Sequence, residues 1–403
     1  MTAAREVGRD LLLGAGLTEQ ERFVAMTAAV DLGPGYPQLS LPTWLVDVLT
    51  DEATIRRTLA VDSLSPHRPD RMSWERELVA VVRGFLGIRD DAGIHGFVTF
   101  SGSAALDRAI RAALIEGGTL LTTNPSIDIA TKMTVEDGAA RVRYVASQPF
   151  VDELDLDEFR AAMREDIRAV LITSPQNPTG QVFSAATVDT VIDACLACRS
   201  VLIADQTFCL FPGAGGEPVP LLPNLAPPEL DWICVWDTGK TFGLHEDKLG
   251  FIFCSASLSH RVMSRLNTLQ FGVSRRLLAQ FAVILADPRV WQYLADLNRT
   301  VHRNARELAA ALVDTGLRPV PPTAGSLMLL QLDDRLVMTE TELSRFLLTA
   351  HGIGVVDFGS FVHAAVPGAV RDHRYLRVAL ARDPVVIDVA AARLRAALAD
   401  LQR

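Results

Sequence analysis

The segment VWDTGKTFGLHEDKLGF (residues 235–251) contains the residue on which the prediction of fold and function depends. Lys240 follows a short Asp-Thr-Gly turn and precedes further turn-like sequence, a setting that is unusual for a solvated charge. An amine held in such a turn can form a Schiff base with an aldehyde, if the rest of the chain supplies a site. Gly-Lys-Thr also ends nucleotide-binding P-loops, but no GxxxxG precedes Lys240, which argues against that alternative.

The composition predicts a soluble globular protein of two or more domains. The 403 residues are 49% hydrophobic and 22% charged, with a net charge of −9 and no basic block. This balance argues against nucleic acid and anionic membranes as partners, and no apolar run is long enough to span a bilayer. Five cysteines in so long a chain do not form a disulfide framework, so we expect a reducing cytoplasm. Cys195 and Cys198 form a CxxC without a second ligand pair, which predicts buried helical thiols and no metal site.

From about residue 75 onward, short β-branched apolar runs alternate with helical patterns. Continuous apolar strands between helices are typical of a parallel sheet that is covered on both faces. Ligands of such sheets lie beyond the carboxyl ends of the strands. The predicted strands are 96–100, 119–123, 140–145, 169–173, 201–205, 232–237 and 249–255.

The change in pattern along the chain predicts three regions. Residues 1–45 read as an N-terminal arm, and residues 46–290 as a large α/β domain. A long helix, predicted at 291–316, leads into a smaller α+β domain that covers residues 291–403 and includes part of the arm.

Several residues that could bind ions or take part in catalysis lie in or near the predicted strands. SGS (101–103) places two hydroxyls and a glycine at a helix N-terminus, which is a ready anion site. Asn177 lies in a turn, NPTG, and Asp205 ends a strand. Arg377 lies inside an apolar strand, where a buried arginine is costly without an anion or a carboxylate as its partner. Each of these residues taken alone also fits a structural role as a cap, a turn or an ion pair.

Together, the order and spacing of these residues resemble the fold-type I pyridoxal-phosphate (PLP) enzymes of the class I/II aminotransferase superfamily. The resemblance covers roughly residues 30–395. It implies an aspartate-aminotransferase-like α/β fold, with a large, mostly parallel seven-stranded sheet domain and a small α+β domain. It also implies an amino-acid substrate and a homodimer with shared active sites.

The resemblance implies a role for each matching residue. Lys240 would bind PLP as a Schiff base and then act as general base at the substrate Cα. Asp205 would pair with the pyridinium nitrogen, and Asn177 would bind the ring 3′-oxygen. Arg377 would bind the substrate α-carboxylate through two hydrogen bonds. The positions that would contact the cofactor phosphate are Ser101, Gly102, Ser103 and Lys248.

Four positions depart from the usual pattern of this superfamily. Phe208 replaces a tyrosine whose phenol contacts PLP, and Ile127 replaces the aromatic ring that stacks on the cofactor. Asp237 stands where a serine contacts the phosphate, and Lys248 replaces an arginine. Because the stacking ring and the phenol tune the cofactor, these changes argue against ordinary transamination.

The lysine segment also resembles a narrower group, the PLP-dependent arginine oxidases and hydroxylases of antibiotic biosynthesis. In that group an aspartate and a glutamate of the N-terminal arm contact the substrate guanidinium. Asp237 and Glu21 are the corresponding residues here, although Asp237 also fits a simple turn cap before the lysine.

These observations predict a PLP-dependent tailoring enzyme of specialised metabolism that acts on a cationic α-amino acid. The expected reaction is β/γ-elimination or replacement on a substrate like S-adenosylmethionine, or oxidation or hydroxylation of an arginine-like substrate. An ordinary class I/II aminotransferase is the alternative. A PLP-binding regulator or inactive scaffold is a third reading, and the retained Lys240 argues against it.

Overall fold

A computed structural model describes residues 24–60, 69–89, 91, 93–135, 140–146, 154–213, 216–270, 272–363 and 374–401. The strands formed by these residues are β1 (Val30–Asp31), β2 (Ile94–Thr99), β3 (Gly118–Asn124), β4 (Ala140–Ala146), β5 (Ile167–Thr173), β6 (Val201–Asp205), β7 (Trp232–Asp237), β8 (Gly250–Ser255), β9 (Leu317–Val320), β10 (Leu327–Leu332), β11 (Ile353–Gly354), β12 (Val356–Asp357) and β13 (Tyr375–Ala379).

The helices surround these strands. They are α1 (Thr43–Thr50), α2 (Glu52–Ala60), α3 (Pro69–Leu86), α4 (Gly102–Ala113), α5 (Asp128–Val135), α6 (Leu156–Ala162), α7 (Ala185–Cys198), α8 (Leu222–Leu225), α9 (Gly239–Phe242), α10 (Ser259–Asn267), α11 (Arg275–Ala286), α12 (Arg289–Ala311), α13 (Glu340–His351) and α14 (Pro384–Leu401).

The largest sheet has seven strands in the order β2-β8-β7-β6-β5-β3-β4. Of these seven, β8 alone runs opposite to its neighbours, and the other six run in one direction. Their carboxyl ends therefore lie along one edge of the sheet. This arrangement confirms the predicted mostly parallel seven-stranded sheet, and every predicted strand is present with its ends displaced by two residues at most.

The two faces of this sheet are buried in different cores. Along β6, Leu202 and Ala204 belong to one apolar cluster, while Val201 and Ile203 belong to another. Because successive side chains of a strand point to opposite faces, a strand that is covered on both sides needs apolar residues at every position. The uninterrupted apolar run VLIA has this physical cause.

A second, four-stranded antiparallel sheet has the order β12-β13-β10-β9. Its apolar side chains share a core with those of α12, α13 and α14, through residues such as Leu308, Leu343 and Leu394. Strands β1 and β11 form a separate parallel pair. The described part of the N-terminal segment thus lies beside the smaller sheet.

One sequence-based prediction of element bounds was wrong. The helix predicted at 291–316 ends at Ala311, because Asp314 and Gly316 adopt positive φ angles of 60° and 90° that no α-helix accommodates. The run GIGVVD (352–357) contains two short strands, β11 and β12, which belong to different sheets.

Local chemistry explains where several helices begin. Ser101 caps α4, since its Oγ accepts a hydrogen bond from Ala104 N at 3.1 Å. Thr339 and Glu342 form a reciprocal capping box at the start of α13. Within the described part of the chain, no helix combines the length and apolar character needed to cross a bilayer.

Candidate functional site

The carboxyl edge of the large sheet brings together residues that are far apart in sequence. Asp205 is the last residue of β6 and Asp237 the last of β7, and these two strands are parallel neighbours. In the sheet, Gly250 of β8 lies between Asp237 on one side and Thr99 of β2 on the other. The N-terminus of α4 follows β2 directly, so it lies at the same edge.

Lys240 lies in the first turn after β7, within the short helix α9. Its backbone N–H donates to Asp237 Oδ1 at 3.0 Å, which holds the turn. Its Nζ lies 5.5 Å from the ring centroid of Tyr36 and 5.6 Å from that of Phe208. The amine is therefore positioned between two aromatic rings, at a distance where the ring faces attract a cation.

Asp205 is a buried acid with local hydrogen-bond partners. Its Oδ1 accepts from Thr207 N at 3.1 Å and from Thr207 Oγ1 at 2.9 Å. Burial raises the pKa of Asp205, and the nearby Asp237 raises it further, while the bonds from Thr207 and the charge of Lys240 lower it. A cationic group bound here would stabilise the ionised carboxylate.

The N-terminus of α4 is closely packed against this edge. Gly102 is buried, and a Cβ built on it would lie 2.5 Å from Asp237 Oδ2. Gly250 is equally restricted, since a Cβ there would collide with the backbone of Ser101. The two glycines allow β8, α4 and Asp237 to approach one another without intervening side chains.

We expect Gly102→Ala to weaken binding of an anion at this helix N-terminus by about tenfold and to destabilise the fold by about 1–3 kcal/mol, because the added methyl would collide with Asp237 Oδ2 and push the first turn of α4 out of position. Titration of the cofactor and urea unfolding measure the two effects. Gly84→Ala is the matched control: Gly84 is helical and exposed, with nothing within 4 Å, so alanine should be neutral or stabilising. Unchanged affinity and stability in Gly102→Ala would contradict the packing argument.

Arg377 connects the smaller sheet to the large one. It lies in β13 with no exposed surface, and its Nη1 donates to Asn177 Oδ1 at 3.1 Å. Its Nη2 donates to Gly33 O, and its guanidinium lies 5.0 Å from the ring centroid of Phe361. The predicted arginine and asparagine are therefore neighbours, although 200 residues separate them in sequence.

Arg382 is a second buried arginine, and it holds the N-terminal segment in place. Its guanidinium donates to the carbonyl oxygens of Asp31 at 2.8 Å, Pro34 at 2.6 Å and Tyr36 at 2.8 Å. Three carbonyls on one guanidinium determine the path of this segment. Tyr36 reaches Lys240 because of this anchoring.

Tyr36 and His245 are site residues that the sequence reasoning missed. Their rings lie 3.7 Å apart between centroids, with 45° between the planes. Burial, together with the charges of Lys248, Lys240 and Arg382, lowers the pKa of His245 to about 4. The imidazole is therefore neutral at physiological pH. The one signal in the sequence was an aromatic residue beside Pro37, and no spacing rule connects it to Lys240.

Lys248 lies close to the same turn. A Cβ on Gly239 would be 2.9 Å from Lys248 Cδ, so the stem of the lysine packs against the backbone before Lys240. Burial lowers the pKa of Lys248; the carboxylate of Asp237 opposes this effect, and the charge of Lys240 adds to it. Lys248, Asp237 and Lys240 therefore form one group of interacting charges.

The remaining predicted residues are placed as follows. Ile127 is half-buried and packs against Val356 and Phe361, beside the guanidinium of Arg377. Ser103 lies exposed in the first turn of α4. Glu21 lies outside the described residues, so its predicted contact stays a prediction.

The chemistry available at this edge is that of a primary amine, two carboxylates and a guanidinium. Among the described residues, no group of three His, Cys, Asp or Glu side chains could hold a metal ion. The described cysteines at 195, 198, 209, 234 and 254 are all free thiols. The arrangement suits covalent capture of a carbonyl by Lys240 beside a buried acid.

This chain is similar to known proteins over most of its length. Residues 94–394 match the family described as aminotransferase class I and II. The methionine aminotransferase of Escherichia coli (strain K12) is 24% identical over 387 residues, which are 94% of each chain. Human kynurenine–oxoglutarate transaminase 3 is 23% identical over 330 residues, 76% of this chain and 70% of the human one.

The fold is shared with solved structures of the same class. The N-succinyldiaminopimelate aminotransferase of Mycobacterium tuberculosis superposes with a TM-score of 0.81 at 21% identity, covering 95% of this chain and 97% of that one. The predicted aspartate-aminotransferase-like fold is thereby confirmed.

The prediction of a tailoring enzyme acting on a cationic amino acid was wrong. The relatives that align with most of the chain are named as ordinary aminotransferases, so the alternative interpretation fits better. The error came from giving single-residue departures at Phe208, Ile127 and Asp237 more weight than the shared framework.

Proposed function

This chain belongs to the class I and II aminotransferase family, and from that membership we propose that it transfers the amino group of an L-α-amino acid to a 2-oxo acid. The enzymes of this family depend on PLP, and so does this one. The observation that carries the proposal is the placement of Lys240 beside the buried Asp205, with Arg377 and Asn177 in contact nearby.

The residues present fit PLP. Backbone N–H groups in the first turn of α4 would bind the phosphate, and Gly102 and Gly250 let this turn lie closely against the ends of β7 and β8. Lys240 supplies the primary amine that an aldehyde requires, and Asp205 supplies a buried carboxylate for a ring cation. Lys248 adds a positive charge close to the same turn.

Each side chain has a separate role in the proposed reaction. PLP, when bound, supplies an aldehyde for the amino group and a conjugated ring that accepts electrons. Lys240 would hold PLP through its aldehyde, and its Nζ would move a proton at the substrate Cα. Asp205 keeps the ring nitrogen protonated, and Arg377 orients the substrate through its carboxylate. We assign contact with the ring 3′-oxygen to Asn177.

The surroundings of Arg377 support a substrate with a neutral side chain. Ile127, Val356 and Phe361 form an apolar cluster beside the guanidinium, and Tyr36 and Phe208 line the space around Lys240. Contact with the rings of Tyr36 and Phe208 would favour an apolar or aromatic substrate side chain. Methionine and kynurenine, which the names of two relatives contain, are therefore the first substrates to test.

The half-reaction tests the proposed function directly. The enzyme carrying PLP is mixed with one amino acid at a time in the absence of any 2-oxo acid. We expect loss of the visible band of protein-bound PLP, with one equivalent each of pyridoxamine phosphate and of the 2-oxo acid. Adding a 2-oxo acid should restore the band. Oxygen uptake, or an elimination product in place of the 2-oxo acid, would refute the proposal.

The predicted organisation of the protein belongs to the same proposal. We place the PLP-binding domain at 46–290 and the small domain at 291–403, with part of the arm (1–45) joined to the latter. We also propose a homodimer in the cytoplasm, supported by the exposed apolar side chains Met26 and Leu59 and by the free thiols. Light scattering of the purified protein measures the oligomeric state.

The likeness of the lysine segment to the arginine oxidases and hydroxylases concerns Asp237 and Lys248. It stays a prediction about that segment and is not carried into the proposed reaction. The role of Asp237 therefore has to be explained from its own surroundings.

A further inference from the structure

Asp237 places a buried carboxylate at the position where the site binds an anion. The residue is 5% exposed. Its Oδ1 accepts from Lys240 N at 3.0 Å, so that oxygen is committed to the turn. Its Oδ2 faces the Cα of Gly102, close enough that a Cβ on that glycine would lie 2.5 Å away. The second oxygen thus lies against the first turn of α4.

A carboxylate there counteracts the groups that attract a phosphate. The N-terminal N–H groups and the dipole of α4 favour negative charge, and so does the ammonium of Lys248. Asp237 offsets part of this attraction, because it interacts electrostatically with Lys248 and contacts α4 directly. Two anions that bind at the same helix N-terminus repel each other unless a cation lies between them.

We propose that Asp237 weakens the hold of this enzyme on the phosphate of PLP more than it affects the contacts to the ring. The inference rests on the proposed function, since it takes the α4 N-terminus as the phosphate site. Its consequence is that the cofactor leaves the protein more readily than it would if this carboxylate were absent. Occupancy of the enzyme then depends on the concentration of free PLP.

The test compares PLP with pyridoxal, which has the same ring and aldehyde but no phosphate. Apoenzyme is titrated with each compound, and the visible Schiff-base band gives both Kd values. Asp237→Asn keeps an oxygen for the bond from Lys240 N and removes the charge. We expect the Kd for PLP to fall at least about tenfold, while the Kd for pyridoxal changes less than about twofold.

The ratio of the two Kd values separates a phosphate effect from a ring effect. Asp237 also raises the pKa of Asp205, so its neutralisation alters the ring contact as well. Any such change acts equally on PLP and pyridoxal and cancels in the ratio. Asp247→Asn is the matched control: this carboxylate is 56% exposed and pairs with Arg276 at 3.7 Å, so both Kd values should stay within about twofold.

The outcomes are distinct. If Asp237→Asn leaves the ratio unchanged, or moves both Kd values together, the inference is overturned. Asp237→Ser provides a second, smaller neutral side chain, and it decides the question if the asparagine variant fails to fold. If the wild-type apoenzyme forms no Schiff-base band with PLP, the proposed function itself fails. A normal half-reaction with an unchanged ratio would reject this inference alone.

Discussion

Lys240→Ala should lose the visible band of protein-bound PLP and about 10⁴-fold or more in kcat/KM for transamination. The residue combines two tasks that no neighbour can assume, covalent capture of the aldehyde and proton transfer at the substrate Cα. The next amine, Lys248, packs its stem against Gly239 and lies within the charge group of Asp237. Absorbance of the purified variant and steady-state rates measure the two losses.

Lys240→Arg is the control that separates the positive charge of Lys240 from its ability to form a Schiff base. Arginine keeps the positive charge between the rings of Tyr36 and Phe208, but its guanidinium does not form the Schiff base. It should therefore be as inactive as the alanine variant. An arginine variant with substantial activity, or an alanine variant that keeps the band, would show that Lys240 has been assigned wrongly.

Asp205→Asn should lower kcat by about 10²–10³-fold while changing KM little, because the carboxylate acts on charge that develops during the reaction. The buried position of Asp205 makes the effect large, since water cannot replace its charge. Rates with the best substrate from the amino-acid panel provide the measurement. A loss confined to KM would contradict the role given to this acid.

Two further experiments test the role of Asp205 in this rate loss. Thr207→Val removes one hydrogen bond to Asp205 Oδ1 and keeps the backbone bond, so kcat should fall only about tenfold. Reconstitution with a PLP analogue that has carbon in place of the ring nitrogen should reduce the wild-type rate to that of Asp205→Asn. The analogue should have little further effect on the variant, because the variant already lacks the carboxylate that pairs with the ring nitrogen.

The pattern of the chain was sufficient to predict the large sheet. Strands that are buried on both faces must be apolar at consecutive positions, and runs such as VLIAD at 201–205 show this directly. Helix ends were less predictable: the helix predicted to reach residue 316 stops at Ala311. Its length depended on the backbone angles of Asp314 and Gly316, which the helical periodicity of the preceding residues does not reveal.

The reaction was mispredicted for a physical reason. The missing phenol at Phe208 was taken as the loss of a contact to PLP, yet the N-terminal segment brings another tyrosine to the site: the ring of Tyr36 lies 5.5 Å from Lys240 Nζ, against 5.6 Å for Phe208. That placement depends on Arg382, which binds three carbonyls of the segment. Single departures in a motif cannot be interpreted without the contacts that surround them.

The sequence by itself determined the family, the sheet, and the identity of Lys240, Asp205, Asn177 and Arg377 as candidate residues, because strand burial and the order of motifs are properties of the chain. Only the tertiary structure decided which groups surround them. Arg377 contacts the carbonyl of Gly33 across 344 residues, and Asp237 lies against the helix that begins at Gly102. Such contacts come from the packing of separate elements, and packing distances are not encoded in local pattern or spacing.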